Sequence, residues 1–87
     1  MKEGLDDRRK KLLYRASYRG FKEADLLIGS FARAELPGMS DADLDEFEAL
    51  LKLNDRDIYN WATGKGEPSV EVNGPVMKRL LAFDPLA

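Results

Sequence analysis

The side chains best placed to do chemistry in this chain lie in one short stretch, Tyr18-Arg-Gly-Phe-Lys-Glu-Ala-Asp25, where Arg19 and Gly20 are followed closely by Glu23 and Asp25. Arginine presents a planar fork of donors suited to carboxylates, phosphates and exposed carbonyls. The glycine beside it lets the backbone turn and lets another surface come close. This is the chemistry of charge-assisted recognition, and it points to a docking corner rather than to bond-making. Two readings of the corner stand side by side. In one, Gly20 ends a helix and Arg19 and Glu23 form an exposed ion pair worth under ~1 kcal/mol. In the other, Arg19 projects outward, Gly20 leaves room for a partner's backbone, and Glu23 orients Arg19 or accepts hydrogen bonds from the partner.

The 87 residues include no cysteine and no histidine. Thiolate chemistry, the usual general base and the usual zinc ligands are therefore unavailable. Serines, threonines, lysines and carboxylates remain, but none are spaced as a catalytic set, so no catalytic, metal-binding or cofactor-binding residue is expected and the chain is read as a non-enzyme. The acids at 41, 43, 45, 46 and 48 could suggest a metal site. Calcium loops, however, place their oxygen ligands in a loop around a glycine, whereas these acids suit the positive end of a helix. Gly64-Lys65-Gly66 lacks the spacing and the following hydroxyl residue of a phosphate-binding loop.

Net charge is −2, unevenly placed: residues 1–22 carry eight basic groups against three acids, and residues 35–60 carry eight acids against two bases. Such a dipolar chain either attracts an acidic partner at one end or lays its two ends against each other. The run Arg8-Arg-Lys-Lys11 reads as a solvated helix face, as a surface steering an acidic protein, or as a contact for nucleic-acid phosphates. The last is the weakest, because Tyr14 is the one aromatic inside the basic helix. A recognition helix at Asp41–Glu48 would also be repelled by phosphates. No apolar run reaches the length of a membrane span, so no membrane insertion is expected. The first residues, Met1 to Asp7, are mixed in charge and resemble neither a secretory signal nor a transit peptide; the expected setting is a bacterial-type cytoplasm or an already processed compartment.

The elements that must position the corner are helical. Leu12, Leu13 and Ala16 give a first helix over about Asp6 to Tyr18, with acids at its start and Arg15 near its end, as the helix dipole favours. Gly20 marks the turn. Phe21, Ala24, Ile28, Phe31 and Ala32 recur at three- and four-residue steps through a second helix to Glu35, with Leu27 on the flank. Gly29 inside it costs roughly 1 kcal/mol against alanine, which implies a close packing contact. Pro37-Gly38 breaks the chain. Ser40 caps a third helix with a stripe of Leu44, Phe47, Leu50 and Leu51. Asn54 or Asp55 caps a fourth, carrying Ile58, Tyr59, Trp61 and Ala62, with Trp61 expected in the core. Val70-Glu-Val72 is either extended or the start of a helix. Asn73-Gly-Pro75 opens a fifth helix, with Val76, Met77, Leu80, Leu81 and Phe83 on its apolar face and Pro85 as its stop. The fold class is all-α: a compact five-helix bundle in one domain, 1–87, with residues 1–6 as a flexible lead and 84–87 as a tail.

Together, Arg-Arg-Lys-Lys-Leu-Leu-Tyr-Arg (8–15), Arg-Gly-x-x-Glu (19–23), Asp25-Leu-Leu and Phe31 resemble the succinate dehydrogenase flavinylation factors. The run Ser40-Asp-x-Asp-Leu44, Phe47, Leu50-Leu51 and Asn-Asp-x-Asp-Ile-Tyr-Asn-Trp (54–61) extends the resemblance over roughly residues 8–64. It implies a small helical assembly factor that binds the flavoprotein subunit of succinate dehydrogenase, and in some bacteria fumarate reductase, and promotes covalent attachment of FAD to a histidine of that subunit. Arg19, Gly20 and Glu23 would then contact the partner, with Asp25 and Arg15 beside them. FAD would sit in the partner, nucleic acid would play no part, and the factor would act as a monomer.

Overall fold

Asp6 opens the first helix as the charge pattern expects. Its carboxylate accepts the backbone N–H of Arg9 at 2.9 Å, one of the orphan donors of a helix start. The computed structural model describes residues 5–84. Helix α1 spans Asp7–Ser17, α2 Lys22–Glu35, α3 Asp41–Leu50, α4 Asp55–Ala62 and α5 Pro75–Ala82, with a 3-10 turn at Leu36–Gly38 between α2 and α3. The flexible lead and the tail expected at the two ends fall largely on residues 1–4 and 85–87, which lie outside the described residues, as does the stop at Pro85.

Each expected cap is present. The Ser40 side chain accepts from Asp43 N and the Asn54 side chain from Arg56 N and Asp57 N, so α3 and α4 each start on a satisfied donor. Pro75 fills the first turn of α5. Val70-Glu-Val72 forms neither a strand nor a helix. It is a turn closed by Val72 N donating to Ser69 O at 3.1 Å, and it leaves Val70 94% exposed.

Helix α2 is the centre of the bundle. It packs along α1 on one side and against α4 on the other, while α5 bridges α3 and α4. Ile28, Phe31 and Ala32 of α2 are fully buried among Leu12 and Ala16 of α1, Phe47 of α3, Ile58 of α4 and Met77 and Leu80 of α5. The Phe31 ring lies 5.9 Å from Phe47 and 5.6 Å from Phe83, centroid to centroid, within the range where tilted and edge-on aromatic pairs attract. Leu27, expected on the flank, is buried, whereas Phe21, Leu81 and Trp61 are half-buried and pack onto the core from its edge. Gly29 has the close contact its cost implied: a Cβ there would sit 3.3 Å from the Ser17 Cα, so its absence lets the end of α1 approach α2. That approach fixes the α1–α2 corner.

Candidate functional site

The corner is built from both helix ends. Beyond Ser17 the chain turns through residues 18–21 into α2, and the Asp25 carboxylate reaches back from the first turn of α2 to accept the Arg19 backbone N–H. The Arg19 guanidinium faces inward. Its Nε lies 2.6 Å and its Nη2 2.5 Å from Oδ1 of Asp55, and Nη2 also donates to the Leu53 carbonyl at 3.3 Å. The second oxygen of Asp55 accepts the Gly20 N–H at 2.8 Å. One carboxylate at the first position of α4, where the helix dipole favours an anion, thus ties the corner to a helix some 35 residues further along the chain.

This geometry corrects the sequence expectation in two respects. Arg19 is neither projecting nor paired with Glu23; its side chain is 11% exposed and is held by Asp55. The approach that Gly20 permits is made by this chain's own carboxylate: a Cβ at Gly20 would sit 3.1 Å from the Asp55 oxygen that the Gly20 amide binds. Asp55 is the site residue that sequence reasoning passed over. It was visible only as a helix-cap candidate, because nothing in local spacing connects positions 19 and 55. Phe21 buttresses the turn, edge-on to Tyr59 at 5.5 Å and covered by the Arg56 guanidinium 4.5 Å from its ring centroid. Glu23 takes no part in these contacts. It is exposed, and its side chain makes no ion pair or hydrogen bond among the described residues.

The basic run on α1 divides in the same way. Arg8 reaches Asp45 at 2.6 Å and Glu48 at 3.2 Å on α3, and this pairing raises its pKa above the ordinary arginine value, chiefly through the Asp45 hydrogen bond. Arg9 donates to the carbonyls of Leu36 at 2.9 Å and Met39 at 2.5 Å, which ties α1 to the 3-10 turn. Lys10, Lys11 and Arg15 remain exposed with no ion pair among the described residues. Beside them Tyr14 and Tyr18 are about two-thirds exposed, with ring centroids 4.7 Å apart.

Four of the five acids of α3 are engaged within the fold, beyond the helix-start role that the sequence suggests. Asp43 binds Arg79 of α5 at 2.9 Å, and that hydrogen bond is the main cause holding its carboxyl below the usual aspartate range. Glu46 accepts the N–H groups of Val76 and Met77, each at 3.0 Å, and so caps α5 from a neighbouring helix. Gly74 leaves the necessary space: a Cβ there would lie 2.7 Å from the Glu46 carboxylate. The two charged ends of the sequence therefore lie partly against each other.

Taken together, fold and corner define an all-helical bundle that fixes a turn with a partly buried ion pair and leaves a glutamate and a basic, tyrosine-bearing helix face open to solvent. The chain belongs to the family described as the flavinator of succinate dehydrogenase, Sdh5, whose model matches residues 10–84. It is 40% identical over 93% of its length to the Candida glabrata protein named succinate dehydrogenase assembly factor 2, mitochondrial, covering 56% of that protein. The proteins of the same name in Debaryomyces hansenii and Dictyostelium discoideum are 46% and 39% identical, over 70% and 85% of this chain and 43% and 52% of their own lengths. The chain thus spans about half the length of these relatives. Their mitochondrial names overturn the expectation of a bacterial cytoplasm, which rested on a charge balance at the first residues that carries no compartment information of its own.

Proposed function

We propose that this chain docks on the flavoprotein subunit of succinate dehydrogenase and promotes covalent attachment of FAD to it, without itself catalysing a reaction or holding the flavin. Membership of the flavinator family across residues 10–84 is the observation that carries this reading. The chemistry of the chain is consistent with it. With no histidine and no cysteine, it has neither a histidyl acceptor for flavin nor a strong general base near neutral pH. Its contribution is shape: binding stabilises the flavoprotein conformation in which the acceptor side chain meets the isoalloxazine ring, an effect of proximity and population shift.

Within the Arg-Gly-x-x-Glu segment, the structure supports a division of labour. Arg19 and Asp25 hold the turn from inside. Glu23 and the Gly20 edge meet the partner, with Arg15 nearby on α1. The factor acts as a monomer in this reading, each copy presenting one corner to one flavoprotein.

Co-purification with the flavoprotein subunit, followed by in-gel flavin fluorescence with and without the chain, tests the proposal. A complex and a several-fold rise in covalent flavin are expected. A folded chain that neither binds the subunit nor raises its covalent flavin would refute it.

A further inference from the structure

Beside Glu23 the surface opens into a groove of about 300 Å³ between α2, α4 and the residue following α5. Leu26, Leu27, Tyr59, Ala62 and Phe83 supply its apolar lining, and Glu23, Thr63 and Asp84 its polar lining. Leu26 is 52% exposed, which is unusual for a large apolar residue on a helix that is otherwise the centre of the bundle. Tyr59 and Phe83 each pack edge-on against another ring, Phe21 and Phe31 respectively. Single exposed apolar residues are ordinary. An exposed leucine beside an apolar groove that carboxylates also line is the anatomy of a contact that seats one apolar side chain and one cation.

We infer that this groove seats an apolar side chain of the flavoprotein subunit that is flanked by a lysine or arginine, the cation pairing with Glu23 and the apolar group covering Leu26. The inference rests on the docking proposed above and assigns it a second element beyond the Arg-Gly turn. Charge complementarity selects the occupant. Glu23 makes no ion pair with its own chain among the described residues, although Lys22 adjoins it in sequence. A basic group from outside would find in Glu23 and Asp84 two carboxylates among the groove's lining, and a cation beside an apolar side chain matches that mixture.

Isothermal titration of the purified flavoprotein subunit with the full chain, alongside Leu26→Glu and Glu23→Gln, tests it. Neither side chain supports the fold, so both variants should melt within about 2 °C of the parent, a shift in keeping with an unperturbed surface position. Leu26→Glu should weaken binding at least tenfold, because it replaces the apolar cover with a further anion beside Glu23 and Asp84. Glu23→Gln should weaken it about three- to tenfold and flatten its dependence on salt. Binding within twofold of the parent by either variant would overturn the inference while leaving the docking proposal intact. A parent chain that does not bind the subunit would instead refute the docking proposal. A parent that self-associates through a contact broken by Leu26→Glu would give the groove to a second copy and also overturn the inference.

Discussion

Helix α3 and the corner between α1 and α2 are both rich in charge, yet they use it in opposite ways. On α3 four acids point at partners within the fold: Asp43 at Arg79, Asp45 and Glu48 at Arg8, and Glu46 at the start of α5. At the corner and along α1, charge is split between an inner set, Arg19 with Asp55, and an outer set, Glu23 at the corner and Lys10, Lys11 and Arg15 on α1, that has no ion pair among the described residues. Charge density alone therefore does not mark an interface. In the docking proposed above, the partner meets charge that this chain leaves unanswered, on a turn held in shape by charge that it answers. The comparison also removes most of the case for a nucleic-acid face, since Arg8 and Arg9, half of the basic run, are occupied inside the molecule.

The inner set should yield the largest effect. Asp55→Ala removes the carboxylate that receives Arg19 and the Gly20 amide, leaving a mostly buried guanidinium unpaired. A loss of about 2 to 3 kcal/mol in chemical denaturation is expected, in the range for breaking a partly buried ion pair. Covalent flavin in the partner should fall with it, even below the melting temperature, because the corner loses its shape. Asp55→Asn keeps the size and a hydrogen-bond acceptor for Gly20, and should recover part of the stability. If Asp55→Ala melts like the parent, the corner is not held in the way described.

Acid titration separates the paired surface of α3 from the unpaired one. Asp43 has its folded pKa depressed by Arg79, and Asp6 by the backbone N–H of Arg9 foremost. A carboxyl depressed in this way contributes stability that is complete above its unfolded pKa and is lost as pH falls through the folded value. Stability should accordingly decline below about pH 4, where free aspartate titrates, and Asp43→Asn should flatten part of that decline while lowering stability slightly at neutral pH. An unchanged acid limb in Asp43→Asn would show that the Arg79 pair is dispensable.

Local rules made the helices and their caps legible. Asp6, Ser40 and Asn54 cap where their types and the following acids indicate, and Pro75 stands in the first turn of α5. Gly29 announced a close helix contact because its intrinsic cost demanded one. The residues of the corner were legible too, but their directions were not. Arg19 finds Asp55, Glu46 finds the start of α5 and Arg8 finds α3, each across 30 residues or more. No periodicity links such positions; only the packed tertiary structure brings them together. Local spacing suggested a pair between Arg19 and Glu23, and tertiary packing supplied a better-enclosed carboxylate.

The outer set gives the smallest effect on the fold and the sharpest contrast with the inner one. Arg15 lies in the last turn of α1 with its side chain exposed. Among the described residues it makes no ion pair, so its stake in stability is the favourable charge at a helix C-terminus, worth a few tenths of a kcal/mol. Arg15→Ala should therefore leave denaturant stability within about 0.5 kcal/mol of the parent, whereas Arg8→Ala, only two helical turns earlier on α1, should cost more because it strands Asp45 and Glu48 beside each other. Binding should reverse the ranking. Arg15→Ala should weaken association with the flavoprotein several-fold through its on-rate, an effect that fades at high salt as screening takes over. Arg8→Ala should leave the on-rate unchanged. Equal on-rates for the two variants would mean that unpaired charge on α1 is ordinary solvated surface, and that the corner alone does the docking.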